Sequence, residues 1–260
     1  MRFSMISLGA LALASAATPA MAQDAPASAF TITGGATVVS DYRFRGLTQT
    51  DEKPAIQGTL NLNHSSGFYI GTWASSIDGG TDGSTPALTG YGAAEVDLYG
   101  GFTKSFSGAT VDVGLLYYYY PDAVTGLNSD FFEPYGSVSY AVGPATVKAG
   151  FNYAWGGQAG LNFTATNDDS LYTDAEVSAG IVNTPITVKA HLGRSKGSLG
   201  LANLIATDDS YLDWSLSAEA AHGPVKIGVS WVDTDVVNKG SFANRLGRDG
   251  TILGYLSFSF

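Results

Sequence analysis

Apolar and polar residues alternate at every second position through most of this chain. The final ten residues show the alternation clearly, with three apolar residues on one face and two serines on the other: Leu256, Phe258 and Phe260 against Ser257 and Ser259. A repeat of two residues is that of a β-strand. The pattern therefore predicts an all-β protein whose residues 251–260 form a terminal strand.

The same alternation recurs in earlier segments and predicts about twelve strands in total. The segments are 30–44, 55–64, 68–77, 93–103, 109–120, 131–140, 145–155, 171–181, 186–194, 211–221, 225–234 and 251–260. In most of them one face is apolar and the other carries Ser, Thr, Asn and charged residues. Segment 68–77 is ambiguous, because Phe68 and Ile70 compete with Tyr69 and Trp73 for the apolar face.

The links between these segments alternate strictly between short and long. The short links are 65–67, 104–108, 141–144, 182–185 and 222–224, and the long, polar links are 47–54, 78–92, 121–130, 156–170, 195–210 and 235–250. A soluble β-sandwich has no reason to keep this alternation. Outer-membrane barrels have an even number of strands, short periplasmic turns and long extracellular loops. The sequence thus predicts a transmembrane antiparallel up-and-down β-barrel.

A spanning sheet must pair its first strand with its last, because hydrocarbon offers no partners for backbone N–H and C=O groups. We therefore expect segment 30–44 to pair with segment 251–260. Aromatic residues cluster where the two membrane interfaces would lie, as in the aromatic girdles of such barrels. The outer cluster is Tyr42, Phe44, Trp73, Tyr117, Tyr119, Trp155 and Trp231, and the inner cluster is Phe68, Phe102, Tyr140, Phe258 and Phe260.

The N-terminus predicts export from the cytoplasm. Arg2 precedes an apolar run over residues 5–17, and Ala20-Met21-Ala22 supplies small residues for cleavage before Gln23. These are the parts of a secretory signal peptide. We expect residues 1–22 to be removed, residues 23–29 to form a short periplasmic leader, and residues 30–260 to form the barrel in the outer membrane of a Gram-negative cell.

Composition agrees with this location and excludes one class of partner. Charged residues make up 14 % of the chain, below the roughly 25 % of soluble domains. The chain contains no Cys, and its net charge is −10. A strongly acidic chain does not favour nucleic acid as a partner.

Several short motifs resemble a known family. They are SDYRFRG at 40–46, DLYGGF at 97–102, YYYYP at 117–121 and EPYG at 133–136. These resemble the TorF-type porin family of proteobacteria, outer-membrane proteins of unknown function, over essentially the whole mature chain. The resemblance implies an outer-membrane pore of undefined substrate and brings no catalytic residues.

Charged residues on the inward faces are the candidate pore-lining residues. The acids are Asp41, Glu95, Asp97, Asp112, Glu133, Asp174, Glu176, Asp213 and Glu219, and the bases are Arg43, Arg45, Lys148, Lys189 and Lys226. Because acids predominate, we expect a channel that favours small polar or cationic solutes. The alternatives are a narrow barrel filled by paired charges, or an adhesin that acts through its loops. Whether a loop folds into the pore stays open.

Catalytic and metal-binding functions have weaker support in the sequence. The chain has three His, namely His64, His191 and His222, and no G-x-S-x-G motif. An outer-membrane lipid hydrolase is therefore the least favoured alternative, and we expect no cofactor and no metal site. Phe258 and Phe260 instead predict a C-terminal signal for the outer-membrane assembly machinery, which together with the lipid bilayer would be the partner of this chain.

Overall fold

The computed structural model describes residues 28–164, 168–200, 210–237 and 244–260. The predicted signal peptide, residues 1–22, lies outside the described residues, as does most of the predicted leader. Among the residues described, no helix has the length and apolar character needed to cross a membrane.

Twelve antiparallel strands form a closed barrel, as the alternation predicts. In chain order these strands are β1 (Phe30–Val39), β4 (Ala55–His64), β5 (Phe68–Ser76), β6 (Ala94–Phe106), β7 (Ala109–Tyr119), β8 (Phe131–Val142), β9 (Ala145–Ala154), β10 (Ser170–Gly180), β11 (Ile186–Gly197), β12 (Ser210–His222), β13 (Val225–Thr234) and β14 (Thr251–Ser259). A separate two-stranded sheet consists of β2 (Arg43–Phe44) and β3 (Leu47–Thr48), and short 3₁₀ turns occur at Ala159–Thr164 and Ser198–Gly200.

The barrel closes between its first and last strands, which confirms the predicted pairing. β1 and β14 run antiparallel in a register that pairs Gly35 with Ser259 and Val39 with Tyr255. The other edge of β1 pairs with β4 along its whole length. The prediction was wrong about the length of the first strand, since β1 ends at Val39 and the chain beyond it turns into the barrel.

The two faces of the sheet differ in the way a membrane barrel requires. Outward apolar side chains are exposed on the protein surface, as for Ile56 at 68 % and Ile252 at 72 %. A belt of apolar side chains facing outward, with polar and charged groups inside, is the arrangement of a transmembrane barrel. In the ambiguous strand, Phe68 and Ile70 face outward whereas Tyr69 and Trp73 are buried inside.

The connections alternate in length along the barrel, as predicted. Residues 65–67, 107–108, 143–144, 181–185 and 223–224 form the turns at one end, and the longer connections lie at the other. The predicted link at 104–108 is shorter than expected because β6 continues to Phe106. Ser107 and Gly108 form a two-residue turn with φ of 48° and 83°, the backbone that matches the twist of a hairpin. We refer to the short-turn end and the long-loop end.

Three members of the predicted outer aromatic girdle are wrong. Tyr42 and Trp73 are buried inside the barrel, and their rings meet edge to face at 5.3 Å. Phe44 lies on β2 and contacts the ring of Tyr118, which is also inside. The prediction for Tyr42 and Phe44 is wrong because the chain turns into the barrel after Val39.

Candidate functional site

Residues 41–50 fold into the barrel and form what we name the inner hairpin. All ten residues are buried except Phe44, which is half-buried. β2 pairs with β3 through Arg43–Thr48 and Phe44–Leu47, and Arg45 and Gly46 form the tip with φ of 50° and 82°. Two successive residues with positive φ give the tight turn that twisted hairpins prefer. The first long connection is therefore a constriction inside the barrel.

Asp41 holds the base of the inner hairpin together. Its carboxylate accepts hydrogen bonds from Arg43 Nε at 2.6 Å, Thr48 Oγ1 at 2.5 Å and Thr50 Oγ1 at 3.0 Å. Asp41 and Arg43 are both almost fully buried. A buried carboxylate is tolerated when it is paired and hydrogen-bonded, so these residues fix the hairpin as a unit.

Arg45 anchors the hairpin tip to the opposite side of the barrel. Its Nη2 donates to both carboxylate oxygens of Glu133 on β8, at 2.7 and 2.8 Å. Its guanidinium lies 4.4 Å from the ring centroid of Tyr172 on β10. The hydroxyl of Tyr211 on β12 donates to the carbonyl oxygen of Arg45 at 3.0 Å. The tip thus contacts three strands that are far from β1 in the sheet.

The hairpin also approaches β12 and β13 too closely for any side chain at Gly46. A Cβ added there would lie 2.5 Å from Thr234 Cγ2 and 2.9 Å from Asp213 Cβ. Gly46 also has a positive φ, which side chains disfavour. Glycine is therefore required at the tip by both the turn and the contact.

Two long loops contact the base of the inner hairpin. The Thr48 amide donates to the Leu246 carbonyl at 2.9 Å, and the Asp78 amide donates to the Gln49 carbonyl at 2.9 Å. Beside this contact, Lys53 donates to Asp78 at 2.7 Å, and that hydrogen bond raises the pKa of Lys53. The hairpin is therefore held from the loops as well as from the barrel wall.

The inner face of β5–β8 is filled with large side chains, and we name it the aromatic wall. Its buried members form one cluster with the hairpin residue Tyr42: Tyr69, Trp73, Tyr99, Leu116, Tyr118, Phe131 and Tyr135. The hydroxyl of Tyr69 lies 2.5 Å from that of Tyr135 and donates to Asp112 at 2.7 Å. The cavity on this side, lined by Tyr99, Asp112 and Tyr135 among others, measures about 360 Å³ including open solvent.

The inner face of β10–β14, which we name the serine wall, carries small side chains over part of its length, beside the buried Tyr172, Tyr211 and Tyr255. Ser215, Ser217 and Ser230 lie there, and a cavity of about 1070 Å³, including open solvent, runs between this wall and the inner hairpin. Charged residues also line it, including Asp174 and Glu176. Of the two cavities described here, the larger therefore lies on this side.

All the charged residues predicted to point inward are buried or half-buried within the barrel. Those that line the large cavity are Asp41, Arg43, Arg45, Asp174, Glu176, Lys189 and Asp213. Others are grouped elsewhere, by the aromatic wall or nearer the short-turn end: Glu95, Asp97, Asp112, Glu133, Lys148, Glu219 and Lys226. Arg43 and Arg45 reach the interior from the inner hairpin, because β1 does not extend to them as predicted.

Glu219 gathers two of the predicted bases. It accepts hydrogen bonds from Lys189 at 3.1 Å and Lys226 at 3.0 Å, and from the Tyr255 hydroxyl at 2.8 Å. Glu95, on the aromatic wall, accepts instead from the hydroxyls of Tyr42 at 3.1 Å and Tyr120 at 3.3 Å. The sequence predicts only that these charged residues face inward. In the structure they belong to separate hydrogen-bond networks.

His191 belongs to a polar cluster on the serine wall. Its Nε2 lies 2.9 Å from the Tyr172 hydroxyl and 3.2 Å from Asp213 Oδ1. A Ser-His-Asp triad needs a hydroxyl nucleophile bonded to the His nitrogen, whereas here that nitrogen faces a tyrosine and a carboxylate. Within the described part of the chain, no three His, Asp or Glu side chains are grouped to hold a metal ion.

Sequence reasoning did not single out Tyr172 and Tyr211, which receive the hairpin tip. The two-residue period places both inside. Their contact with Arg45, however, joins residues more than a hundred positions apart in the chain, and no local pattern carries that information.

Comparisons with known proteins give one family and several similar folds. The model of a family described as a bacterial protein of unknown function (Gcw_chp) matches residues 23–253. No curated protein matches the sequence.

Solved structures of channels share the barrel. The NanC porin has 12 % identity and a TM-score of 0.52, with 88 % of this chain and 98 % of that chain covered. The KdgM porin has 7 % identity and a TM-score of 0.54, with 88 % and 99 % covered. An outer-membrane channel from Pseudomonas putida F1 has 12 % identity and a TM-score of 0.50, with 94 % and 98 % covered. At these identities the similarity is one of fold.

Proposed function

This chain belongs to the Gcw_chp family of bacterial proteins of unknown function, and from its interior we propose that it is an outer-membrane channel for small polar and cationic solutes. In this proposal the signal peptide directs export, the short turns face the periplasm and the long loops face the exterior. The resemblance to TorF-type porins, and the fold shared with the NanC and KdgM porins, support a channel.

The cavity beside the inner hairpin is the observation that carries the proposal. It lies where the serine wall leaves room, and charged and hydroxyl side chains line it. A barrel filled by its own side chains would leave little space of this kind. The hairpin narrows the interior at the long-loop end. Its partners Glu133, Tyr172 and Tyr211 lie within the first four residues of β8, β10 and β12, and each of these strands begins at that end.

The charges along the cavity favour cations over anions. Asp174 and Glu176 are two residues apart on β10, so their α-carbons are about 7 Å apart at a rise of roughly 3.4 Å per residue. All three bases that line the cavity already bind carboxylates, namely Arg43 to Asp41, Arg45 to Glu133 and Lys189 to Glu219. We therefore propose a modest cation preference, which salt weakens because the Debye length is about 10 Å at 0.1 M.

Planar bilayers containing the refolded protein test this proposal. We expect steady single-channel conductance and, across a gradient of KCl, a reversal potential shifted towards that of K⁺. Absence of conductance from correctly folded protein would support the alternative of a filled barrel or adhesin. Hydrolysis of the bilayer lipid by the wild type would instead support the lipid hydrolase and contradict the proposal.

We also propose that Phe258 and Phe260 form the signal read by the outer-membrane assembly machinery. Phe260 directly follows the strand that closes the barrel, and its backbone exchanges hydrogen bonds of 2.9 and 3.1 Å with Gly34. Changing both phenylalanines to Ser should leave export intact but prevent insertion into the outer membrane. Heat-modifiable migration on gels measures insertion, and Ser257→Ala, on the inward face, is the control. Normal insertion of the double variant would contradict this role.

A further inference from the structure

Two buried carboxylates of the serine wall keep an oxygen without a hydrogen-bond partner. Asp174 is 8 % exposed and Asp213 is 4 % exposed. Among the described residues, neither Asp174 Oδ2 nor Asp213 Oδ2 has a partner. Both residues line the large cavity. A buried carboxylate oxygen without a donor is costly, so these two positions are suited to receive donors from a bound molecule.

The sheet register places the two carboxylates on either side of a residue without a side chain. Asp174 on β10 and Asp213 on β12 both pair with Gly193 on β11. Strands lie about 4.8 Å apart, which gives about 10 Å between the two α-carbons. A Cβ at Gly193 would lie 2.0 Å from the Tyr172 hydroxyl and 2.6 Å from Asp213 Oδ2. Because residue 193 is glycine, the Tyr172 hydroxyl and the Asp213 carboxylate can occupy the space beside it, between the two acids.

Two bases near this place, Arg45 and Lys189, are bound to other acids. Arg45 binds Glu133 and Lys189 binds Glu219. His191 contacts Asp213 through Oδ1, the oxygen that also accepts from Tyr172. Lys148, on the adjacent strand β9, is the register partner of Glu176 and lines the smaller cavity together with Asp174. The hydrogen bonds from Tyr172 and His191 thus reach Oδ1 of Asp213, and Oδ2 of each aspartate has no hydrogen-bond partner among the described residues.

Arg45 shows which chemistry this part of the barrel recognises. Its guanidinium is held by the carboxylate of Glu133 and lies over the ring of Tyr172, the tyrosine whose hydroxyl bonds Asp213. Charge-assisted hydrogen bonds to a carboxylate, together with the face of an aromatic ring, are a recurrent means of holding organic cations. The interior therefore already contains one bound guanidinium, supplied by its own chain.

From these observations we infer that the cavity contains a binding site for a small organic cation, with a guanidinium or primary amine group, formed by Asp174 and Asp213 beside Tyr172. This inference rests on the proposed channel function and names its class of solute. The cation donates hydrogen bonds to the two carboxylates. Solutes of this class then reside longer in the barrel than anions or neutral sugars of similar size.

Calorimetric titration of the detergent-solubilised full chain tests the site without requiring conductance. The probes are L-arginine, L-glutamate and glucose. We expect binding of arginine alone, and at least about tenfold weaker binding in the double variant D174N/D213N, from the loss of charge-assisted hydrogen bonds. The control is the double variant D168N/D169N in an exposed loop, which should bind arginine like the wild type. Equal arginine affinity in D174N/D213N, or equal binding of glutamate or glucose, would overturn the inference.

Two further measurements keep the result unambiguous. Heat-modifiable migration shows whether D174N/D213N is folded, and the single variant D174N, with an intermediate loss of affinity, serves if it is not. In planar bilayers, arginine should interrupt the current of the wild type and not that of D174N/D213N. Conductance without arginine binding would overturn this site and leave the channel. Aspartate-dependent binding without conductance would support the site and contradict the channel.

Discussion

The aromatic wall and the serine wall belong to the same antiparallel sheet, but they leave different amounts of space inside the barrel. On β5–β8 the inward positions hold large residues such as Tyr69, Trp73 and Tyr118. On β12 and β13 the inward positions include Ser215, Ser217 and Ser230. Larger side chains take up more of the interior on one side, and the larger cavity lies on the other. In a barrel of this size, side-chain volume decides where solute can be accommodated.

Two pairs of carboxylates show the same contrast. Glu95 and Asp97 on β6 have the same spacing as Asp174 and Glu176 on β10. The β6 pair is 2 % and 1 % exposed beside the aromatic wall, and Glu95 accepts hydrogen bonds from two tyrosines. The β10 pair lines the cavity. An inward-facing charge therefore becomes part of the packing or part of the cavity according to its neighbours.

Among the changes that test this contrast, removal of the inner hairpin should have the largest effect, and the quantity affected is the single-channel conductance. Replacement of residues 42–49 by a short glycine linker takes away the element that lies between the two walls. We expect a several-fold increase in single-channel conductance, measured in planar bilayers at high salt. Shortening the exposed segment 124–127 is the control, and it should leave conductance unchanged. Unchanged conductance in the hairpin variant would mean that the hairpin does not limit the path.

Separation of the hairpin tip from its anchor should have the next largest effect. Glu133→Gln leaves Arg45 buried without its counter-charge, and breaking a buried ion pair in this way costs about 3–5 kcal/mol in the free energy of unfolding. The double variant E133Q/R45M removes both charges and should recover much of that loss. Urea unfolding in lipid vesicles, followed by tryptophan fluorescence, measures both.

The outcome that would contradict the anchor is equal stability of Glu133→Gln and the wild type. Asp168→Asn, in an exposed loop, is the matched control for the loss of a carboxylate charge. Because E133Q also frees the tip, we expect an increase in current fluctuations, which should be absent from the control.

Neutralisation of each carboxylate pair in turn should have the smallest effect, which is a shift in the reversal potential. It compares the two walls directly. D174N/E176Q should shift the reversal potential towards that of the anion at low salt, because these residues line the cavity. E95Q/D97N should shift it much less, because these residues are buried by the aromatic wall. The difference should decrease as salt rises above about 0.1 M, where the Debye length falls below about 10 Å. Equal shifts in the two variants would show that both walls line the conducting path.

The sequence determined the properties that depend on the two-residue period. It predicted twelve strands, their alternating connections, the closure of the first strand on the last, and the inward position of residues such as Asp174 and Glu219. These properties can be read from one segment at a time, because one face of each strand contacts hydrocarbon and the other faces the polar interior. The ambiguous strand shows the limit, because Tyr69 and Phe68 suit both faces when only one segment is considered.

Only the tertiary structure decided what the interior contains. The alternation of segment 30–44 continues past Val39, yet the chain turns inward there, and Tyr42 and Phe44 leave the predicted girdle for the interior. The reason is that the stabilising partners of the inner hairpin come from the far side of a closed barrel: Glu133 lies 88 residues from Arg45. Which inward side chains meet depends on barrel radius and strand register, and those quantities exist only once the sheet has closed.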